Sequence, residues 1–267
     1  AESSIIGTAI GMAISGFKPV VEIQFGDYIW TSMMQIRNEL VTIHFRSKGD
    51  WVCPVVIRVP VGGYIHGALC HSQSIEGYFA HLPGIKIAYP SNAFDAKGLL
   101  KMACRMNNPV LYLEHKGLYR QQYAAKNVGD HNHIIEFGIG SMVQSGNDAT
   151  IVTWGAMVQK CIEVIRKNSL SVDLIDIRTI YPLDEDLIFK SVRKTSKVLI
   201  VHEDNITGGF GAEIASRIGE QCFEYLDAPI QRIGSKDIPI SYAQKLEDYT
   251  LVQNDWIEKA LIELINY

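Results

Sequence analysis

Short β-branched runs alternate with helical stretches along these 267 residues, and that alternation limits the possible folds more than any other feature. Residues 54–59 form a run suited to a strand buried on both faces, as in parallel sheets. Strand-like runs recur at 19–25, 85–89, 109–114, 149–153, 172–177, 198–202 and 230–233. Helical periodicity marks residues 28–46, 92–106 with Asn92 as cap, 156–168, 187–194, 211–223 and 255–265. Such an order predicts α/β domains with mostly parallel sheets. Periodicity fades after Lys116, so the chain divides into a first domain over 1–120, a linker over 121–146 and a second domain over 147–267.

The first sixteen residues hold the densest cluster of unusual choices. Glu2 precedes a small-residue helix in which Ile5, Ile6, Ala9, Ile10, Ala13 and Ile14 predict a buried face. Ser3 or Ser4 is placed to cap it, and an acid near a helix N-terminus is favoured by the helix dipole. Gly7 and Gly11 lie one turn apart, where another backbone could come close. Alone, this stretch reads first as a buried helix with a solvated acid, and a more specialised role needs the rest of the chain.

Residues 62–74 form a loop carrying His66, Cys70 and His71. A structural zinc site needs four ligands, and no paired Cys or His motif supplies them. Adjacent Cys70 and His71 point apart in an extended loop, which disfavours a nucleophile pair. His71 is better placed as a proton donor above the sheet, with a structural histidine as the alternative. Gly208, Gly209 and Gly211 follow a strand and open a helix, but the dinucleotide-binding spacing and the P-loop lysine are both missing.

Composition closes other routes. A net charge of -4 with no basic block argues against nucleic acid as a partner. No apolar run reaches the roughly 18 residues of a membrane span, and no signal-peptide pattern is present. Five scattered cysteines predict free thiols in a reducing, cytoplasmic setting. The chain opens without Met inside an organised motif, so a longer parent is expected.

Read in order, several segments resemble one family. They are Glu2 with Gly7 and Gly11, residues 22–28 (EIQFGDY), 66–69 (HGAL), 71–74 (HSQS), 83–86 (PGIK), 95–99 (DAKGL), 176–180 (DIRTI), and His202-Glu203 with Thr207-Gly208-Gly209. Spread over nearly the whole chain, they resemble the β subunit of the thiamin-diphosphate-dependent 2-oxo acid dehydrogenases. The resemblance implies a transketolase-like pair of three-layer α/β domains, a pyrimidine-binding domain followed by a transketolase C-terminal domain. It implies that Glu2 faces N1′ of the cofactor's aminopyrimidine, that Tyr28 packs on that ring and that Gln24 lines the same wall. A buried, pKa-shifted carboxyl would suit Glu2's proton relay. His71 matches the histidine near the reactive carbon, a proton donor when the acyl group passes to lipoamide, whereas His66 is only its neighbour. Carbonyls near Cys53 and Asn108 resemble a region that holds a structural potassium ion in some relatives.

No Gly-Asp-Gly motif for magnesium and diphosphate is present, since Gly26-Asp27, Gly49-Asp50 and Gly129-Asp130 all lack the next glycine. The Mg2+ and the diphosphate are therefore expected on a partner α subunit or a fused α half. Self-association into a two-fold dimer through Gly7 and Gly11, and a lipoyl-bearing acyltransferase as acceptor, complete the expected partners. Residues 24–28 and 66–69 lean toward branched-chain 2-oxo acids. Pyruvate or acetoin dehydrogenase β subunits and a non-catalytic assembly module are the alternatives, with a nucleotide-binding enzyme disfavoured by the broken glycine pattern.

Overall fold

The structure, a computed structural model, describes residues 1–267. Its elements run α1 (Glu2–Ile14), β1 (Val20–Glu22), a 3-10 helix (Gly26–Ser32), a π-helical stretch (Gln35–Leu40), α2 (Ile43–Arg46), β2 (Val56–Val61), α3 (Glu76–Ala80), β3 (Lys86–Ala88), α4 (Ala93–Ala103) and β4 (Val110–His115). Then come β5 (Ser141–Gln144), β6 (Ala149–Thr153), α5 (Met157–Asn168), β7 (Val172–Asp176), β8 (Thr179–Tyr181), α6 (Glu185–Thr195), β9 (Val198–Asn205), α7 (Gly211–Cys222), β10 (Gln231–Ser235), α8 (Gln244–Thr250) and α9 (Asn254–Ile265).

Two five-stranded sheets result, in the orders β1-β2-β4-β3-β8 and β10-β9-β6-β7-β5. In each, four strands are parallel and the last is an antiparallel edge. Central strands are apolar on both faces because helices cover both: Ile57, Val59, Leu111 and Leu113 in one sheet, Ile151 and Leu174 in the other, are fully buried. Burying each such side chain contributes roughly 1.5–3 kcal/mol. Asn92 caps α4 by accepting from the Asp95 N–H at 3.1 Å, and Asp184 caps α6 through the Leu187 N–H.

Both antiparallel edges depart from the expected division. β5 lies inside the expected linker 121–146, yet it pairs with β7 as the edge of the second sheet. Four half-buried residues at an edge carry too little apolar alternation to be read as a strand. β8 falls in the expected second domain but pairs with β3 of the first sheet. An ion pair of Arg178 with the buried Asp95 at 2.7 Å holds that crossover, and the Tyr89 N–H donates to the Arg178 carbonyl. One hydrophobic cluster accordingly runs from Ile6 through Ile87 to Ile177, Ile200 and Ile214.

The N-terminal region also corrects the expectation. The long helix over 28–46 is broken into the 3-10 turn, the π-helical stretch and α2. Helix α1 buries only Ile6, Ala9 and Ala13, because Ile5 and Ile14 lie off that stripe and stay 36% and 41% exposed. Ala1, not a serine, is its N-cap residue.

Candidate functional site

In parallel sheets the C-terminal ends of the strands hold the chemistry. Four segments of the first sheet arrive at that end. β1 leads to Gln24 and the 3-10 helix, β2 leads to the loop of residues 62–74, β3 leads to Tyr89, and β4 ends on His115 and Lys116.

The 3-10 helix does most of the organising. With three residues per turn, residues three apart share a face. Tyr28 and Thr31 are such a pair, and each holds one of the expected catalytic side chains. The Thr31 hydroxyl donates to Glu2 Oε2 at 3.0 Å. The Tyr28 hydroxyl lies 2.9 Å from His71 Nε2.

His71 has a defined tautomer. Its Nδ1 lies 3.2 Å from the Gly67 carbonyl, which can only accept, so Nδ1 carries the proton. Nε2 then accepts from the Tyr28 hydroxyl. Phe25 packs edge-on against both rings, its centroid 4.5 Å from that of His71 and 5.4 Å from that of Tyr28. Lys116 Nζ sits 5.2 Å from the Phe25 centroid. That amine and both Asp27 carboxylate oxygens are buried without hydrogen-bond partners. Burial pulls the Lys116 pKa down to about 8, against the opposing pull of Asp27 and Glu203.

Glu2 departs from the expected environment. Its side chain is half-exposed in this chain, and its pKa is lowered by the backbone N–H at the helix start, then by the Thr31 hydroxyl. An acid on the first turn of a helix faces unpaired N–H groups that favour the carboxylate. Gln24 is exposed and makes no side-chain hydrogen bond. Gly7 and Gly11 are exposed, with nothing within 4 Å of a Cβ built on either.

The loop carrying His71 is gripped from the second sheet's side. Glu203 accepts from the Gly63 N–H at 2.6 Å and from His115 Nε2 at 2.5 Å. Burial alone would raise the Glu203 pKa, but His115 beside it and its hydrogen bonds bring it below the usual carboxylate value. Tyr64 donates to the Val252 carbonyl at 2.7 Å. Glu247 of α8, itself buried, accepts from the backbone N–H groups of Ile65 and His66 at 3.3 and 3.2 Å and pairs with His66 Nδ1 at 3.0 Å. Tyr64, His66 and Ala68 all adopt left-handed backbone, with φ of 61°, 55° and 54°. Such conformations cost about 1–3 kcal/mol each and persist only where the surroundings fix them.

Sequence reasoning assigned no role to Glu203 as an anchor, to Glu247, to Lys116 or to Glu76. Glu76 is wholly buried on α3 and accepts from the Trp154 indole N–H at 3.0 Å. Burial and the neighbouring Asp204 carboxylate push its pKa up to about 8. The only cue for Glu203 was the run His202-Glu203-Asp204 at a strand end. The glycine-rich turn after it also has a local explanation. A Cβ on Gly209 or Gly211 would lie 2.5 Å from the buried His202 ring, so the turn packs around that imidazole.

A cavity of about 600 Å³ opens between the His71 loop, α3 and the β9–α7 turn, lined by Ser74, Gly77, Glu203, Asp204 and Asp237 among others. None of Glu2, Gln24, Tyr28 and His71 lines it. No three His, Cys, Asp or Glu side chains converge as metal ligands; Cys70 is exposed and His66 is taken by Glu247. Near Asn108, Lys18 Nζ donates to the Arg105 and Met106 carbonyls at 3.0 and 3.2 Å, and the Cys53 carbonyl accepts from the Val55 N–H. No helix is long and apolar enough to cross a membrane.

Comparison with known proteins adds family models, relatives and a solved structure. Residues 1–122 match the family model of the transketolase pyrimidine binding domain, and residues 138–257 that of the transketolase C-terminal domain. The chain is 43% identical over 271 residues to the 2-oxoisovalerate dehydrogenase subunit beta of Bacillus subtilis (strain 168), covering all of this chain and 82% of that one. It is 39% identical to the pyruvate dehydrogenase E1 component subunit beta of Staphylococcus aureus, covering 97% of this chain and 80% of that one. Among solved structures, a split gene transketolase described as an inactive beta4 tetramer superposes with a TM-score of 0.80 at 20% identity, over all of this chain and 82% of its own.

Proposed function

This chain belongs to the family of 2-oxo acid dehydrogenase β subunits, and on that premise we propose that it is the pyrimidine-gripping half of such an enzyme, acting on branched-chain 2-oxo acids. The observation that carries the reading is the 3-10 helix that holds Glu2 through Thr31 and His71 through Tyr28. It joins an acid and a proton carrier along one aromatic wall.

The residues fit thiamin diphosphate at its pyrimidine end. Glu2 is a carboxylate with one side-chain partner that could meet a ring nitrogen, and Phe25 and Tyr28 offer aromatic faces and edges. When bound, thiamin diphosphate supplies a thiazolium carbon that carries the substrate through decarboxylation. This chain's own part is proton handling and orientation. Glu2 holds a proton against the pyrimidine nitrogen, and a covering partner would desolvate it and raise its pKa from the lowered value seen here. Gln24 and Tyr28 would form the wall that holds the ring. His71, with Nδ1–H held by the Gly67 carbonyl, presents Nε2 to take up and deliver the proton for acyl transfer. Tyr28 keeps that nitrogen in place between turnovers.

The same reading assigns Mg2+ and the diphosphate to an α subunit or fused α half, and acyl acceptance to a lipoyl-bearing acyltransferase. The open Gly7–Gly11 face suits a two-fold dimer with a second copy. The reading leaves the carbonyls near Cys53 and Asn108 for a structural potassium ion, beside Lys18, whose ammonium already meets the Arg105 and Met106 carbonyls. The five free cysteines suit a cytoplasmic enzyme. With β5 and β8 reassigned, the domains are drawn as 1–120 plus β8, and 141–267 without it.

The test is decarboxylation of 3-methyl-2-oxobutanoate against pyruvate by this chain assembled with its α half, with thiamin diphosphate, Mg2+ and an artificial electron acceptor. The branched substrate is expected to win in kcat/KM. Preference for pyruvate would move the chain to the other subclass, to which its resemblance is only slightly weaker. Absence of cofactor binding in an intact assembly would favour a module that only holds partners together.

A further inference from the structure

We propose that Glu247 is a positioning residue for His71, acting across the boundary between the two halves of the chain. The inference rests on reading His71 as the proton carrier of acyl transfer. It deepens that reading by naming what fixes the imidazole.

Glu247 is 1% exposed, and the one side chain it meets is that of His66, itself on the loop. A carboxylate is rarely buried unless specific donors meet it. Here the donors are two consecutive backbone N–H groups, at Ile65 and His66, flanked by the left-handed Tyr64 and His66. Successive N–H groups in such a conformation form a concave seat for an anion. Glu247 fills that seat from α8, 182 residues along the chain from Ile65.

The consequence reaches the imidazole in two short steps. Gly67 follows directly on His66, and its carbonyl accepts the Nδ1–H of His71. Fixing the peptides at 65 and 66 therefore fixes the acceptor that sets the tautomer and the aim of Nε2. Close contact at the loop's start supports the same arrangement. A Cβ on Gly63 would lie 2.5 Å from Leu251, the residue that ends α8, so the loop backbone lies directly against this helix. Tyr64, bonded to the Val252 carbonyl, pins the intervening residue. The loop is thus shaped by the C-terminal domain as well as by the sheet from which it springs.

The experiment compares two rates in the full assembly with the α half, its integrity checked by sedimentation. Decarboxylation with an artificial electron acceptor does not need acyl transfer; acylation of a lipoyl domain does. Glu247→Gln is expected to lower lipoyl acylation about tenfold to a hundredfold, the scale of loss from a slightly misplaced group. Decarboxylation should stay within about twofold, with KM for the 2-oxo acid unchanged. On a His71→Ala background, Glu247→Gln should cost nothing further, since the two act as one unit. Glu247→Asp keeps the charge on a shorter arm and should give a partial loss of acylation alone; it serves as the test if the Gln variant does not assemble. Equal losses in both rates, additive losses with His71→Ala, or full acylation in both Glu247 variants would overturn the inference while leaving the role of His71 standing. Full acylation by His71→Ala alone would instead remove the reading on which it rests.

Discussion

Glu2 rides on the first turn of a regular helix, half-exposed and held by one threonine hydroxyl, while His71 sits on a loop of left-handed residues held by Glu203, Glu247 and Val252. Both belong to the same wall and both touch the same 3-10 helix. The difference lies in where their support comes from. The support of Glu2 is local: the backbone at a helix start and a side chain 29 positions away. That of the loop carrying His71 is remote and buried, drawn from β9, α8 and the residues after α8. A local support leaves the acid open to be completed by a partner, whereas a remote one makes the imidazole's geometry a property of the whole chain.

The largest effect should come from the exposed member. Glu2→Gln is expected to lower thiamin-dependent turnover by about 10²–10⁴-fold, the range for a general acid–base group. Because Glu2 lies at the surface of this chain, thermal unfolding of the variant should match that of the parent. Retained turnover in the assembled enzyme would show that the proton relay lies elsewhere.

The remote support should fail in the opposite way. Glu203→Ala leaves His115 and the Gly63 N–H without their buried partner, a loss expected to destabilise the chain by about 3–5 kcal/mol. Urea unfolding would read this as a lower midpoint with little change in slope. A variant of unchanged stability would mean that the loop is held without the Glu203–His115 pair.

This contrast also explains what was legible in the sequence. Strands such as β6 and helices such as α5 could be read almost to the residue, because a long apolar pattern repeats there. Glu2, Tyr28 and His71 stood out through the segments that carry the family resemblance. The broken helix after Asp27 did not, since an apolar stripe three or four residues apart suits α, 3-10 and π geometry alike. Glu247 was silent for a different reason. Nothing local distinguishes it from Asp248 beside it, and its partners are backbone groups, which leave no mark in a sequence. β5 and β8 are four- and three-residue edges whose pairing depends on distant strands.

The buried acid on α3 gives a pH signature to the contact between the halves. Glu76 loses its proton near the ordinary 4.5 when unfolded, but only at about 8 when folded, where burial and then Asp204 hold it protonated. The folded state therefore binds the extra proton across this window. Its contribution is complete below about 4.5 and is lost as pH rises toward 8. Glu76→Gln keeps an acceptor for the Trp154 N–H and has no proton to lose, so Tm should fall less between pH 5 and 8 than in the parent. Parallel Tm–pH curves would mean that Glu76 is ionised inside the fold.

The smallest expected effect returns to the open face of α1. Nothing lies within 4 Å of a Cβ on Gly7 or Gly11, so Gly7→Leu meets no obstacle within one chain. A leucine at a helix surface position is also a better helix former than glycine, by up to about 1 kcal/mol. Folding of the single chain should therefore be unharmed or slightly improved. If a second copy packs its backbone against this face, the added side chain overfills the interface and weakens association by about 1–3 kcal/mol. Sedimentation at several concentrations separates the two effects, because only the second depends on concentration. A dimer constant unchanged by Gly7→Leu would leave this face free for a different partner surface, and the α half would be the next to test.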